Sequence, residues 1–415
     1  MSHNALTALA KSLPASVPFV GPETQERALG RAFSARLGAN ESQFGPSPRA
    51  IEAMAQAAQE VWQYGDPENH DLKQALAAHH NIDPGHITLG EGIDGLLLTL
   101  TRLTVASGDA ILTSHGAYPT FNYHAAGNGG TIRTVPYVDD HEDLRSLAEQ
   151  AHLLGAKLVY FANPDNPMGS WHSADAVQEL IDNLPKSSLL VLDEAYIELA
   201  PNGTAPDLRP ETDNVIRLRT FSKAYGMAGA RVGYAIGPKS LISAFDKLRN
   251  HFGLSRISQA GALAALKDQA YVDGIKQKVA KSRESLAQIA QDNGLTALPS
   301  ATNFVTIDCG GDGDGRDDDA HFPGETLAHA GDAIEQVAVK RFQGVLLMSV
   351  LARADARNVA SEILHFLEQM FCLTPTRFPE FGGQFNAQRN HFPDPVVNQA
   401  TFGWEVNIGF HHKRI

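Results

Sequence analysis

The feature that most constrains the fold is a run of apolar residues that ends in an acid. Leu189 to Leu192 are four consecutive apolar residues, and Asp193 follows directly. A run without polar alternation is typical of a strand buried on both faces of a parallel sheet. A buried carboxylate is costly unless a cation faces it. We therefore expect Asp193 to meet a positively charged group at the carboxyl end of its strand.

Other apolar segments predict further strands and helices of an α/β fold. The predicted strands are His86–Leu89, Ala110–Ser114, Leu158–Ala162, Val215–Phe221 and Val232–Ile236. The predicted helices are Arg49–Trp62, Leu96–Leu103, Pro238–Asn250, Gln259–Ala270 and Tyr271–Asn293. Residues 1 to about 35 contain several prolines and predict an extended arm. The long amphipathic stretch after residue 271 is expected to link a large domain to a smaller one.

Lys223 lies on a turn between two of these predicted strands, and Gly226 and Gly229 follow it. A lysine held on a rigid turn suits a Schiff base to pyridoxal phosphate. An ordinary solvated lysine is the alternative, and the turn alone does not separate the two. Asp193 favours the cofactor, because a carboxylate keeps its pyridine nitrogen protonated. The groups then expected to hold the cofactor phosphate are Thr220, Ser222 and Arg231.

A glycine-rich segment, G-E-G-I-D-G at Gly90 to Gly95, precedes the predicted helix at Leu96. This literally matches the dinucleotide fingerprint, so a nicotinamide-dependent oxidoreductase is an alternative. That fingerprint requires an acid at the end of the next strand, whereas Asp109 precedes its strand. We prefer a phosphate site in which the N–H groups at the helix start bind the pyridoxal phosphate. The residues concerned are Gly92, Ile93 and Asp94.

Three motifs carry a resemblance to a known family. They are N-P-D-N-P-M-G at 163–169, D-E-A-Y at 193–196 and S-K-A-Y-G-M-A-G-A-R at 222–231. In order and spacing, the chain resembles the class I and II aminotransferases of fold type I, and among these the histidinol-phosphate aminotransferase family. The resemblance implies pyridoxal phosphate as cofactor, a large domain with a mostly parallel sheet, a smaller α/β domain and a homodimer.

The resemblance also implies roles for individual side chains. Lys223, Asp193 and Tyr118 are the predicted catalytic residues, with Tyr118 stacked on the pyridine ring. Phe121 and Tyr123 are the alternatives for the stacking ring. Further cofactor contacts are implied for Asn166 and Tyr196 at the phenolic oxygen, and for Tyr64, which reaches the cofactor phosphate of a partner subunit. Asn303 is a weaker candidate near the substrate, and Met168 stands where the family usually has threonine.

The predicted organisation has four parts. Residues 1–45 form the N-terminal arm and the entrance loop, 46–250 the large domain, 251–372 the small domain and 373–415 an atypical tail. The resemblance weakens beyond about residue 333, where the family places arginines that bind the substrate carboxylate. Arg341 is a candidate for the first, but Met348 and Ser349 stand where the second is expected. The tail is rich in Phe, Pro, His and Asn, and it does not resemble the closing helices of the family.

Composition narrows the partners and the compartment. The net charge of −13 argues against a nucleic-acid-binding surface. Two cysteines, Cys309 and Cys372, predict neither a disulfide framework nor a metal site. The acidic loop Gly310–Asp319 does not fit the calcium-loop spacing. No stretch approaches the ~18 apolar residues of a membrane span, and a cytoplasmic location is expected.

These observations predict an aminotransferase with small-molecule substrates. It would move an amino group from an L-amino acid or histidinol phosphate to a 2-oxo acid such as 2-oxoglutarate. A decarboxylase or lyase of the same fold is an alternative. A pyridoxal-phosphate-binding protein whose catalysis is weakened by its altered C-terminus is another.

Overall fold

The computed structural model describes residues 5–14, 20–33, 39–292 and 294–308, and the backbone of strands at 341–342, 345–350 and 406–407. The strands are β1 (Ile87–Glu91), β2 (Ala110–Ser114), β3 (Thr131–Val135), β4 (Tyr137–Val138), β5 (His141–Glu142), β6 (Leu158–Ala162), β7 (Leu189–Asp193), β8 (Val215–Thr220), β9 (Val232–Ile236), β10 (Thr296–Ala297), β11 (Phe304–Asp308), β12 (Arg341–Phe342), β13 (Val345–Val350) and β14 (Val406–Asn407). The α-helices are α1 (Ala8–Ser12), α2 (Pro22–Leu29), α3 (Pro48–Ala58), α4 (His70–His80), α5 (Gly92–Thr104), α6 (Pro119–Gly127), α7 (Leu144–Leu154), α8 (Ala174–Asn183), α9 (Lys239–Ala244), α10 (Arg256–Lys267) and α11 (Gln269–Asp292).

A seven-stranded sheet is the largest sheet among the described residues. Its strand order is β1-β9-β8-β7-β6-β2-β3. The five strands from β8 to β3 run parallel, whereas β9 is antiparallel to both of its neighbours. The prediction of a mostly parallel α/β sheet is confirmed.

Helices cover both faces of this sheet and explain the apolar run in β7. Leu190 and Leu192 pack in a core cluster with side chains of α7 and α8, such as Leu147. Val191 points to the opposite face, where it packs with side chains of α5 and α6. All three residues are fully buried. Alternating polar residues are therefore absent because neither face of the strand meets water.

The parallel strands bring the predicted site residues to one edge of the sheet. Ala162 at the end of β6 pairs with Asp193 at the end of β7, and Asp193 also pairs with Leu218 of β8. The carboxyl ends of parallel strands form the usual ligand site of open α/β sheets. The segments after β2, β6, β7 and β8 therefore converge where Lys223 lies.

A second, antiparallel sheet follows the long helix α11. Its order is β10-β11-β13-β12, and β14 pairs with β13. Met348 and Ser349, noted above for the lack of an arginine, pair with Val305 and Phe304 of β11. The described backbone of the tail is β14, in which Val406 pairs with Val350.

Several local predictions were wrong. The expected extended arm contains helices α1 and α2, because the Thr7 side chain caps the first and Pro22 begins the second. Helix α3 ends at Ala58, short of Trp62, which is 80% exposed and does not belong to the core face. The helix predicted over 238–250 is limited to α9, followed by a 3-10 turn at Phe245–Lys247.

Other predictions fall on parts of the chain that the structure does not describe. Cys309 and Cys372, the acidic loop at 310–319 and most of the tail lie outside the described residues. Among the described residues, no group of three or more His, Cys, Asp and Glu side chains is placed to hold a metal ion. None of the described helices combines the length and apolarity needed to cross a membrane.

The turn that carries Lys223 depends on a glycine. Gly226 has φ of +68°, and a Cβ there would lie 2.2 Å from the carbonyl oxygen of Gly45. We expect Gly226→Ala to lower the free energy of unfolding by about 2 to 4 kcal/mol, through left-handed strain and this collision. Denaturant unfolding measures the change.

Gly229 provides the matched control, because a Cβ there meets nothing within 4 Å. Gly229→Ala is expected to change the free energy of unfolding by less than about 1 kcal/mol. Equal stability of the two variants would contradict the role given to Gly226.

Candidate active site

The Lys223 side chain enters the site from the turn after β8. Its Nζ donates hydrogen bonds to the carbonyl oxygens of Ala39 at 3.1 Å and Asn40 at 3.0 Å. Nζ also lies 5.4 Å from the centre of the Tyr196 ring. Burial, followed by the positive charge of Arg231, lowers the pKa of Lys223 to about 8. An amine with this pKa is neutral, and so nucleophilic, in a far larger fraction at neutral pH than an exposed lysine is.

Asp193 is the buried acid predicted at the end of β7. Its side chain is 5% exposed and accepts hydrogen bonds from the hydroxyl of Tyr160 at 2.7 Å and the N–H of Ala195 at 3.0 Å. Burial raises the pKa of Asp193 to about 6, despite these two donors. The carboxylate thus lies where a cationic ring nitrogen would relieve the cost of its burial.

The start of α5 and the side chain of Arg231 lie close together. Gly92, the first residue of α5, has φ of +72°, and a Cβ there would lie 2.3 Å from Nη2 of Arg231. Arg231 Nη2 also lies 3.7 Å from the Asp94 carboxylate. Ile93, between Gly92 and Asp94 in the sequence, is buried. The first N–H groups of a helix have no partner within it, and together with a guanidinium they suit a phosphate. The structure brings these predicted phosphate-binding residues together.

Ser222 and Thr220 join the same site in different ways. Arg231 Nη1 lies 3.4 Å from the Ser222 hydroxyl. The Thr220 hydroxyl donates to Ser222 Oγ at 2.9 Å and accepts from the Ser222 N–H at 3.0 Å. Thr220 therefore orients Ser222, while Ser222 is the hydroxyl adjacent to the guanidinium.

The structure distinguishes the three candidates for the stacking ring. Tyr118 lies directly before α6, and the charges of Asp94 and Asp193 act on its hydroxyl. Burial is the main reason that the pKa of Tyr118 is raised to about 12. Phe121 is fully buried in the core, and Tyr123 is 52% exposed. This arrangement favours Tyr118.

Asn166 and Tyr196 are both buried. Tyr196 is 3% exposed, accepts a hydrogen bond from the Asn40 side chain at 3.4 Å and packs edge-on against Phe304. Asn166 follows the cis peptide bond between Asn163 and Pro164 in the loop after β6. The roles that the resemblance implies for Asn166 and Tyr196 stay predictions.

Tyr64 lies on the surface, apart from the buried residues above. Its side chain is 77% exposed, and its ring contacts Phe252 at a centroid distance of 4.7 Å. Arg256 fixes this segment through a hydrogen bond from Nη2 to the carbonyl oxygen of Tyr64 at 3.1 Å. The cross-subunit role of Tyr64 stays a prediction.

Two contacts of the site escaped the sequence reasoning. Asn40 has φ of +52°, and its carbonyl oxygen accepts from both Lys223 and the side chain of Asn303 at 3.0 Å. The Tyr160 hydroxyl donates a hydrogen bond to Asp193 from β6, a strand whose other residues are apolar. Asn40 acts on Lys223 and Asn303 through its backbone carbonyl, which no sequence motif marks, and Tyr160 had no signal beyond its hydroxyl.

Glu194, next to Asp193, points away from the site into a buried ion cluster. Its carboxylate pairs with Arg217 and with Arg219 at 2.8 Å. The two guanidinium groups hold the pKa of Glu194 at about 2, against the effect of burial. The cluster anchors β7 to β8, the two strands that carry Asp193 and precede Lys223.

Comparison with known proteins identifies the family. Residues 35–341 match the family described as Aminotransferase class I and II. The chain is 35% identical over 275 residues to histidinol-phosphate aminotransferase of Staphylococcus haemolyticus, covering 66% of this chain and 78% of that protein. It is 33% identical over 299 residues to the enzyme of Staphylococcus epidermidis, covering 71% and 84%.

Solved structures agree. The histidinol-phosphate aminotransferase of Sinorhizobium meliloti in complex with pyridoxal-5'-phosphate superposes with a TM-score of 0.80 at 46% identity, covering 90% of this chain and 99% of that chain. An aspartate aminotransferase from Thermus thermophilus with maleate shares the fold, with a TM-score of 0.64 at 21% identity over 74% of this chain and 85% of that chain.

The fold and the site define a pyridoxal-phosphate-dependent transferase of fold type I. The chain belongs to the class I and II aminotransferases. The predictions of this fold, of an aminotransferase and of pyridoxal phosphate as cofactor are confirmed. The nicotinamide-dependent oxidoreductase is thereby set aside.

Proposed function

We propose that this aminotransferase moves the amino group of histidinol phosphate, or of an L-amino acid, to a 2-oxo acid such as 2-oxoglutarate. The observation that carries the choice of histidinol phosphate is the 46% identity, over 90% of the chain, to the Sinorhizobium meliloti enzyme of that name.

The described residues fit pyridoxal phosphate. The space beside Gly92 that a Cβ would fill is bordered by Arg231 Nη2 and suits the phosphate. The carboxylate of Asp193 is buried with two donors but without a cation among the residues that hydrogen-bond to it, and suits the pyridine nitrogen. Lys223 would hold the aldehyde carbon, and Tyr118 would cover the ring. Asn166 and Tyr196 would bind its phenolic oxygen.

When bound, the cofactor supplies an electron sink for the bond broken at the substrate Cα. Once the substrate amine has replaced it at the aldehyde carbon, Lys223 would take the proton from the substrate Cα as general base and deliver it, as general acid, to that former aldehyde carbon. Its lowered pKa suits both roles near neutral pH, because neither protonation state is strongly favoured. Asp193 keeps the ring nitrogen charged by remaining ionised itself.

A homodimer follows from the role proposed for Tyr64. Several apolar side chains near it are exposed, namely Val61 at 62%, Trp62 at 80% and Phe252 at 50% exposure. An exposed apolar surface of this kind is typical of a protein interface. We propose that a second copy covers it and receives Tyr64 at its cofactor phosphate. The proposed domain boundaries remain at residues 45/46, 250/251 and 372/373.

A substrate panel tests this function. With bound pyridoxal phosphate and 2-oxoglutarate, we expect histidinol phosphate to give glutamate with the highest kcat/KM among the amino donors tested, which include aspartate and aromatic amino acids. Measuring glutamate and carbon dioxide together also tests the decarboxylase alternative. Glutamate from other donors with none from histidinol phosphate would contradict the proposed substrate. Carbon dioxide release, or no conversion of any donor by the cofactor-loaded protein, would contradict amino transfer.

A further inference from the structure

Tyr160 occupies an unusual place for a polar side chain. It lies in the middle of β6, with apolar or aromatic residues on either side, and is fully buried. Its hydroxyl donates to Oδ2 of Asp193 on the neighbouring strand at 2.7 Å. A short hydrogen bond to an ionised acceptor is stronger than one between neutral groups. The sheet itself thus places a donor against the acid of the site.

The ring of Tyr160 is held in place by a second contact. It stacks on Phe121 with a centroid distance of 4.6 Å and an interplanar angle of 15°. Phe121 belongs to α6, the helix that begins directly after Tyr118. The direction of the Tyr160 hydroxyl is therefore fixed by packing on the same helix that positions the stacking ring of the site.

The surroundings of Asp193 oppose its ionisation, and the Tyr160 donor acts against them. Burial raises its pKa most, and the negative charges of Asp94 and Glu194 raise it further, whereas hydrogen bonds from Tyr160 and Ala195 lower it. Asp193 also interacts electrostatically with Lys223, Tyr118 and Tyr196. Burial also raises the pKa of Tyr160 well above its ordinary value, so this phenol keeps its proton. It acts only as a donor and favours the ionised form of the acid.

We propose that Tyr160 is a positioning residue that keeps Asp193 ionised and directed at the ring nitrogen of the cofactor. The inference rests on the function proposed for Asp193. Tyr160 lies on β6, the parallel strand adjacent to β7, and would touch neither substrate nor cofactor. It would act only through its hydrogen bond to Asp193. Asp193 then holds the proton on the ring nitrogen instead of taking it.

Tyr160→Phe tests the inference, because it removes the hydroxyl and keeps the ring that stacks on Phe121. The first measurement uses the cofactor-free protein, in which carboxyl ¹³C NMR follows the titration of Asp193. We expect its midpoint to rise by about one pH unit, a tenfold change in the protonation equilibrium. The Asp193→Asn variant identifies the signal by its loss.

A second measurement uses the holoenzyme with ¹⁵N-labelled pyridoxal phosphate. We expect the ring-nitrogen shift of Tyr160→Phe to move toward that of an unprotonated pyridine. We also expect kcat to fall about tenfold, with the KM of the amino donor changed less than twofold, since ground-state contacts to the donor are retained.

Tyr234→Phe is the matched control. Tyr234 is also buried, in β9 of the same sheet, but its hydroxyl lies 3.0 Å from Nε2 of His80. This variant is expected to leave both NMR signals and kcat unchanged. An unchanged Asp193 midpoint or an unchanged ring-nitrogen shift in Tyr160→Phe would overturn the inference. Failure of the proposed function differs from this outcome, because the unmodified protein itself would then fail to transfer amino groups.

Discussion

Replacing Lys223 with alanine is expected to lower kcat by about four orders of magnitude or more, since it removes both the covalent anchor and the proton-transfer group. The protein is also expected to lose the yellow absorbance that lysine-bound pyridoxal phosphate gives. The anion site at Gly92 and Arg231 remains in this variant, so weak binding of the free cofactor is retained. Steady-state kinetics and the visible spectrum measure the two effects.

Lys239 provides the control for Lys223→Ala. Its side chain is 56% exposed and pairs with Asp83 at 3.2 Å on the surface. Lys239→Ala is expected to keep both turnover and absorbance. Turnover of Lys223→Ala within tenfold of the unmodified protein would refute the role given to Lys223.

Replacing Asp193 with asparagine is expected to slow proton removal from the substrate Cα by about 10²-fold to 10⁴-fold. Asparagine has nearly the same shape but carries no negative charge to hold a proton on the ring nitrogen. Cofactor affinity is expected to fall far less, because the phosphate contacts around Ser222 and Arg231 are intact. Single-turnover kinetics with the cofactor-loaded variant separate the chemical step from binding.

Asp83→Asn is the control for the loss of an acid, because Asp83 caps a surface turn away from the sheet edge. It is expected to leave the single-turnover rate unchanged. A normal single-turnover rate in Asp193→Asn would show that the acid does not support the ring nitrogen.

Much of the fold was predictable because its signals are local. The run Leu189–Leu192 must be buried on both faces, and the observed strand β7 ends at the predicted acid. Strands β6 and β9 have the predicted bounds. Helices α1 and α2 are not predictable from this segment, because its prolines favour extended chain. Pro22 nevertheless occupies a first helical position of α2, where its missing N–H has no cost.

Those residues of the candidate site that belong to a sequence motif at the end of a predicted strand could be predicted. Lys223, Asp193 and Arg231 were assigned from the types of neighbouring residues and from the resemblance. Tyr160 and Asn40 were not, for two physical reasons. A tyrosine within an apolar strand is indistinguishable in sequence from a core residue, and its value to Asp193 depends on the register between β6 and β7. Asn40 acts mainly through its backbone carbonyl, which every residue has.

Covalent trapping determines whether Lys223 is the residue that holds the cofactor. The yellow holoenzyme is reduced with borohydride, digested and analysed by peptide mass spectrometry. We expect one pyridoxyl group per chain, on the peptide that contains Lys223. A pyridoxyl group on a different lysine, or a protein that takes up no pyridoxal phosphate, would contradict it.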